Sequence, residues 1–232
     1  FGWQLALDLQ QINPGKHWPE WPGQLTTQLV SNGRLLDSDT QVALQLQQLR
    51  GELRGYPVAG QIDVTLDNER LDIQQLDLTS ADNRITANGS IEQSWDISAL
   101  ATLPDMEALL PGWQGAFDLS GRIQGKRDQP QLAATVTAQQ LTGPSLAIDA
   151  LAGELQLQWS ESAQQSAMIK MQAVELAGQR YADATLEFAG SVHRHQLTLA
   201  ANGKETAIDL RLAGDWLDNV WNGKILAADW QF

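Results

Sequence analysis

Apolar and polar residues alternate with a period of two along almost the whole chain. Leu5, Leu7 and Leu9 alternate with polar or small residues, and Val58, Gly60, Ile62, Val64 and Leu66 alternate with Ala59, Gln61, Asp63, Thr65 and Asp67. The same rhythm returns at Val42/Leu44/Leu46, Leu155/Leu157/Trp159, Ile169/Met171, Leu186/Phe188, Leu197/Leu199 and Ile208/Leu210/Leu212. A strand turns successive side chains to opposite faces, so the pattern predicts sheet with one apolar and one solvated face, the habit of antiparallel pairing. Turn signals interrupt the runs at Ser31-Asn32-Gly33, Leu36-Asp37-Ser38-Asp39, Asp67-Asn68-Glu69-Arg70, Ala81-Asp82-Asn83, Thr142-Gly143-Pro144-Ser145 and Asn202-Gly203-Lys204. Roughly twenty strands of ordinary length fit between them. Ser160 to Ser166 reads as a polar loop.

Two stretches depart from the pattern. Asn13 to Gly23 (NPGKHWPEWPG) carries too many prolines for a ladder and reads as a structured loop. Pro104 to Gly112 (PDMEALLPG) predicts a short helix at 104–110, with Met106, Leu109 and Leu110 as its apolar stripe. Such a helix is either a lid on the sheet or a plug in a groove. The two stretches belong to an internal repeat. Trp3 to Trp95 is 92 residues, as are Pro19 to Pro111, Trp21 to Trp113, Gly23 to Gly115 and Gly33 to Gly125. The units run about 1–94, 95–202 and a shortened 203–232, the last holding a third Trp-x-Gly at Trp221 to Gly223. Repetition of this kind predicts one elongated body, and the abrupt start and cut final unit read as a piece of a longer chain.

A one-sided sheet must cover its apolar face. A second sheet would make ordinary sandwiches. A single sheet folded lengthwise into a U would enclose a groove instead, and twenty strands at ~4.8 Å would extend it to ~95 Å. Residue choice favours the groove. Aromatics are 6% of the chain, nine of the fifteen being Trp, and the inward set is Leu, Ile, Val and Ala. Smooth aliphatic lining suits an acyl chain, whose exposure to water costs ~0.8 kcal/mol per CH₂. The expected lining is Leu5, Leu7, Leu44, Leu46, Ile62, Val64, Leu66, Ile85, Leu119, Val136, Leu155, Leu157, Ile169, Leu186, Leu197, Leu199, Ile208 and Leu210.

Charge and chemistry narrow the classes. With 15 Lys+Arg against 28 Asp+Glu, net −13, the chain repels nucleic-acid backbones and anionic membrane surfaces. No run of eighteen apolar residues occurs, and the absence of cysteine leaves the compartment open. His193-Arg194-His195 would set two imidazoles on one strand face, but His17 is far away and a metal would lack a third ligand. These histidines read as wet-face residues. Asp37 and Asp39 shape a turn, and Asn88-Gly89-Ser90 has the form of a glycosylation sequon. No nucleophile-elbow, zinc-protease or phosphate-loop pattern is present, so no cofactor and no catalysis is expected.

Three runs of landmarks, in this order, resemble the middle region of proteins of the TamB family, part of a wider AsmA-like group. They are Ile12-Asn13 with Trp18-Pro19-Glu20-Trp21-Pro22-Gly23-Gln24-Leu25; Leu103-Pro104-Asp105 with Leu110-Pro111-Gly112-Trp113-Gln114-Gly115; and Ser120-Gly121-Arg122-Ile123 with Gln129-Pro130-Gln131-Leu132. The resemblance implies an elongated, twisted antiparallel sheet curled into a U-shaped β-taco with a hydrophobic interior, in the periplasm of a Gram-negative cell. It implies phospholipid movement toward the outer membrane and support of outer-membrane protein and autotransporter assembly. It further implies an inner-membrane anchor and an outer-membrane barrel partner of TamA type, both engaged through regions without a counterpart here. Three functions stay open on the residues alone: a lipid conduit, a scaffold for client β-strands, and a spacer of stacked sandwiches.

Overall fold

The computed structural model describes residues 1–36, 39–160, 163–176, 178–191, 193–217 and 220–231. Asp37 and Ser38 of one expected turn, and residues 161–162 of the expected polar loop, lie outside the described residues. The chain forms fifteen strands: β1 (Gly2–Ile12), β2 (Gly23–Leu36), β3 (Asp39–Leu53), β4 (Tyr56–Asp67), β5 (Arg70–Ser80), β6 (Asn83–Ile91), β7 (Ser94–Leu103) and β8 (Gln114–Lys126), then β9 (Gln131–Gly143), β10 (Leu146–Gln158), β11 (Gln165–Leu176), β12 (Gln179–Ser191), β13 (Arg194–Asn202), β14 (Ala207–Leu217) and β15 (Val220–Gln231). They make one sheet in strict sequence order, every neighbour antiparallel. The expected twenty strands are fifteen because each runs longer than the ordinary length on which the count rested. One weak turn signal, Ser31-Asn32-Gly33, falls inside β2.

Among the described residues only neighbouring strands and two short inserts pack substantially together, and no second sheet covers the first. The surface is 14,830 Å², against roughly 10,300 Å² for a compact protein of this mass. An excess of that size means an open sheet. A stack of fifteen strands at ~4.8 Å spacing is ~67 Å long.

The sheet is nevertheless folded along its length, and the sequence carries the cause. In β1, β3, β5 and β9 two glutamines separate two apolar residues, at Leu9 to Ile12, Leu46 to Leu49, Ile73 to Leu76 and Ala138 to Leu141. Two consecutive polar residues break period-two alternation and would send the next apolar residue to the wrong face. At each site the register slips by one residue against a neighbouring strand. The slip is a β-bulge, which restores the apolar residue to its face and bends the strand. Gln11, Gln48 and Gln140 take positive φ of 54°, 52° and 50°, a left-handed backbone that costs a residue with a side chain about 1–2 kcal/mol. From β9 to β12 the steps align. Leu141, Ile148, Val174 and Tyr181 form one register row, and Ala138, Leu151, Met171 and Ala184 another three residues away. Side chains of the two rows close on one another across the bend. Ile148 is 3% exposed and Val174 6%, in a cluster with Tyr181, Ala184 and Ala201. Without a second layer, burial that deep comes from the sheet's own curl.

The helix expected at 104–110 is a single 3-10 turn, Met106–Ala108, with the Asp105 carboxylate accepting from the Glu107 amide. Pro104 and the Pro111-Gly112 stop leave too few residues to propagate an α-helix. The 13–22 loop likewise holds one 3-10 turn, Pro14–Lys16. Because strand direction alternates, both inserts project from the same rim of the sheet. Arg54, in the β3–β4 turn, ties them together: its guanidinium lies 5.3 Å from the Trp21 ring centroid and donates to the Ala108 carbonyl at 3.1 Å.

Candidate functional site

Directly opposed residues of an antiparallel pair point to the same face, so the register can be followed from strand to strand as continuous rows. One row crosses the entire sheet. It begins Leu7, Leu29, Leu46, Ile62, Leu76 over β1 to β5. It continues Ala87, Ala99, Gly121, Ala134 over β6 to β9. It ends Leu155, Ala167, Phe188, Leu197, Leu212, Ile225 over β10 to β15. No polar side chain interrupts it.

Parallel rows flank this one. Toward the far rim, Leu5, Leu44, Val64 and Leu157 share a row with Ile73, Ile97, Ile123 and Leu132. Leu66 lies one row further out, between Val42 and Leu71. Toward the insert rim, Ile85, Leu119, Val136, Ile169, Leu186, Leu199 and Leu210 fall in a single row. Ile208 stands beyond it, paired with Ala201 and Trp230. Every residue expected to line a groove therefore sits on one face, and that face is the inside of the curl.

Exposure grades across it. Fully buried apolar residues such as Ala101, Leu103 and Ala138 gather toward the insert rim, whereas Leu5, Leu7 and Leu44 on the other side are about 40% exposed. The face is thus a trough, closed along one margin and accessible along the other. Polar groups that enter it are paired. Ser31, opposite Leu5, accepts from the Trp3 indole at 3.0 Å, and Thr27 donates to the Gln47 carbonyl at 3.0 Å. Asn83, 2% exposed, donates to the Asp105 carbonyl at 2.7 Å and accepts from its amide at 3.0 Å, anchoring the 104–113 insert to the closed margin. Within that insert Ala108 is the buried residue. Met106 and Leu109 are half-buried, and Leu110 is exposed.

The opposite face is charged. Its ion pairs include Arg84 with Asp77 at 2.7 Å, Arg122 with Asp96 at 2.8 Å and Arg211 with Asp209 at 2.9 Å. Hydrogen bonds from Arg70 to Asp72 and from Arg84 to Asp77 hold both carboxylates below their ordinary range. A shallow hollow of about 490 Å³ on this side is bounded by Thr86, Ser120, Thr135 and Glu154. Among the described residues no three His, Cys, Asp or Glu side chains are placed to share a metal. His195 corrects the expectation of two wet-face imidazoles: it lies in register with Gly190 and Gly214 on the trough side, while His193 sits outside the strand. Its Nε2 accepts from the Trp221 indole at 2.8 Å and its Nδ1 lies 3.2 Å from the Ser191 carbonyl oxygen, which leaves neither nitrogen for a metal.

The residues missed by reading the sequence are the bulge glutamines and the buried polar trio Thr27, Ser31 and Asn83. The fourfold apolar-Gln-Gln-apolar pattern was the available signal for the first group. The second group has no signature short of the register.

An open antiparallel meander with an aliphatic trough inside and a salt-bridged exterior is a β-taco. Among the described residues no helix is long and apolar enough to cross a membrane. The chain belongs to the TamB family, since the model of the TamB N-terminal domain matches it over residues 1–231. The order of landmarks had pointed to the middle of such a protein; the matched region is the family's N-terminal domain. No solved structure matches the chain.

Proposed function

We propose that this chain is a periplasmic segment of a TamB-like protein whose trough conducts phospholipid acyl chains between the inner and outer membranes, in support of outer-membrane biogenesis. The supporting observation is the uninterrupted apolar row from Leu7 to Ile225, one residue from every strand. A sixteen-carbon chain in water loses on the order of 12 kcal/mol, so a route with polar gaps would stall at each of them. In this reading the eighteen lining residues named from the sequence are the acyl-contacting surface. The 104–113 insert bounds the closed margin, and Met106, Leu109 and Leu110 act there as a plug that limits entry. The TamA-type partner and the membrane anchor act through other parts of the whole protein, and nucleic acid has no role.

A photo-crosslinker at Val64 or Leu210, with Gln61 on the outer face as control, tests the proposal in cells. Phospholipid adducts at the two trough positions and none at Gln61 are the expected result. Adducts to outer-membrane client proteins alone would replace the conduit with a strand-binding scaffold. Deleting 105–110 should raise lipid adducts at neighbouring positions without collapsing the fold, and an unchanged yield would remove the plug.

A further inference from the structure

Three register rows carry the trough surface across the sheet: the continuous row from Leu7 to Ile225 and the row on either side of it. Their side chains are aliphatic or small, with Phe188 and the uncharged Thr27, Ser31 and Gln165 among them. His195 is the one residue in these rows whose side chain changes charge between about pH 5 and 8. It stands where the apolar surface thins. From β12 to β15 its row reads Gly190, His195, Gly214 and Gly223, so its neighbours on both sides have no side chain.

An indole fills that gap. Trp221 precedes Gly223 by two residues on the same face, and its ring lies across Gly214 and Gly223. A methyl group at Gly214 would meet the Trp221 Nε1 and Cε2 atoms at 2.7 and 2.8 Å, and one at Gly223 would collide with the same ring. Apolar cover thus continues one row beyond Leu212 and Ile225, supplied from the rim. The ring is pinned by its Nε1–H, which donates to His195 Nε2 at 2.8 Å, and is otherwise 40% exposed.

The two partners of His195 fix its charge state. An indole N–H only donates, so Nε2 presents its lone pair; the Ser191 carbonyl, 3.2 Å from Nδ1, only accepts, so the proton sits on Nδ1. The imidazole is neutral in this arrangement. Imidazolium has a proton on both nitrogens, keeps the bond to Ser191 and loses the one to Trp221. Among the described residues no charge on the trough face compensates. Gln165, Phe188, Leu212 and Trp216 share that face with it, the Phe188 ring 5.5 Å away. Glu187, Arg194, Asp215 and Lys224 alternate onto the outer face with the sheet between, and His193 lies outside the strand.

We propose that His195 and Trp221 form a proton-operated latch at the β13–β15 end of the trough. Neutral His195 holds the indole over the glycines. Protonation releases it and sets a charge and bare backbone in the path of acyl chains, so the hold on hydrocarbon there weakens as pH falls. What the latch controls rests on the lipid reading above; the inference adds pH as the variable that controls it.

The test follows the Trp221 indole N–H by NMR in the chain labelled with ¹⁵N-tryptophan, its signal identified by its loss in Trp221→Phe. Between about pH 8 and 5.5 the signal should move in one titration that coincides with that of the His195 ring. In His195→Gln and His195→Asn, whose sheet content is checked by circular dichroism, it should not titrate. A signal that stays fixed while His195 titrates would overturn the latch, and so would the same movement in both amide variants. Calorimetry with a short-chain phosphatidylcholine below its micelle concentration reads the consequence, since that headgroup keeps its charge over this range. The parent should bind about fivefold more weakly in acid, and the amide variants equally at both ends of the range. Equal binding by the parent at both would overturn control of the trough. Failure of the parent to bind at either would overturn the lipid reading and that control with it, while the indole titration still decides the latch itself.

Discussion

Side chains on the inner face fall into two populations, and they should respond differently to truncation. Ile148 is 3% exposed and packs against Val174 and Tyr181 across the crease, so Ile148→Ala should cost about 2–5 kcal/mol in chemical denaturation. Leu7, 40% exposed in the trough, has much less contact to lose, and Leu7→Ala should cost under about 1 kcal/mol. Equal losses would mean that the trough is as dry as the crease. On the outer face, the Arg84 hydrogen bond keeps Asp77 below its ordinary range. A carboxylate depressed in the folded state adds stability above its unfolded value, about 3.9, and that contribution disappears as the pH falls through the lowered value. Thermal midpoints of the parent and Asp77→Asn should therefore differ at neutral pH and converge in acid, and a gap that widens in acid would contradict the pairing.

Bulged strands show how a local fault in the pattern serves the whole sheet. Gln47 and Gln48 in β3 let both Leu46 and Leu49 face the trough. Removing Gln48 restores plain alternation and leaves Leu49 and Leu53 on the trough face without a bulge, so that only the local bend is lost. Deletion of Gln48 should therefore still give folded sheet by circular dichroism, and Gln48→Gly, which accepts the 52° φ without strain, should fold like the parent. A deletion variant that fails to fold would show that the bend itself, and not only the facing of Leu49, is required. Tryptophan–glycine contacts act at the same scale. Trp3 lies over Gly33 and Trp113, the last residue before β8, over Gly143, so glycine at these sites makes room for a neighbouring indole. The 92-residue spacing sets Trp95 opposite Gly125 as Trp3 stands opposite Gly33, but the Trp95 indole instead donates to the Arg127 carbonyl at 3.1 Å.

At the scale of the molecule, stability comes from neighbour-to-neighbour pairing along one axis rather than from a central core. A compact protein of this length has a radius of gyration of roughly 17 Å. A stack of fifteen strands some 67 Å long should exceed 20 Å in small-angle scattering. A value near the compact figure would mean that the sheet has closed on itself and lost its trough.

Period-two alternation by itself determined that the chain is antiparallel sheet with one aliphatic and one charged face, and it named the eighteen inner residues that the register places together. Alternation fixes which way a side chain points relative to its strand neighbours, and that information is local. It does not fix how many strands a run contains, because a weak turn signal such as Ser31-Asn32-Gly33 is overridden when both neighbours supply a continuous ladder. Nor could it decide between a second covering sheet and a curl, since either would bury the same residues. The register decided that: extra residues in β1, β3, β5 and β9 bend the strands, and their alignment from β9 to β12 folds the sheet over its own apolar face.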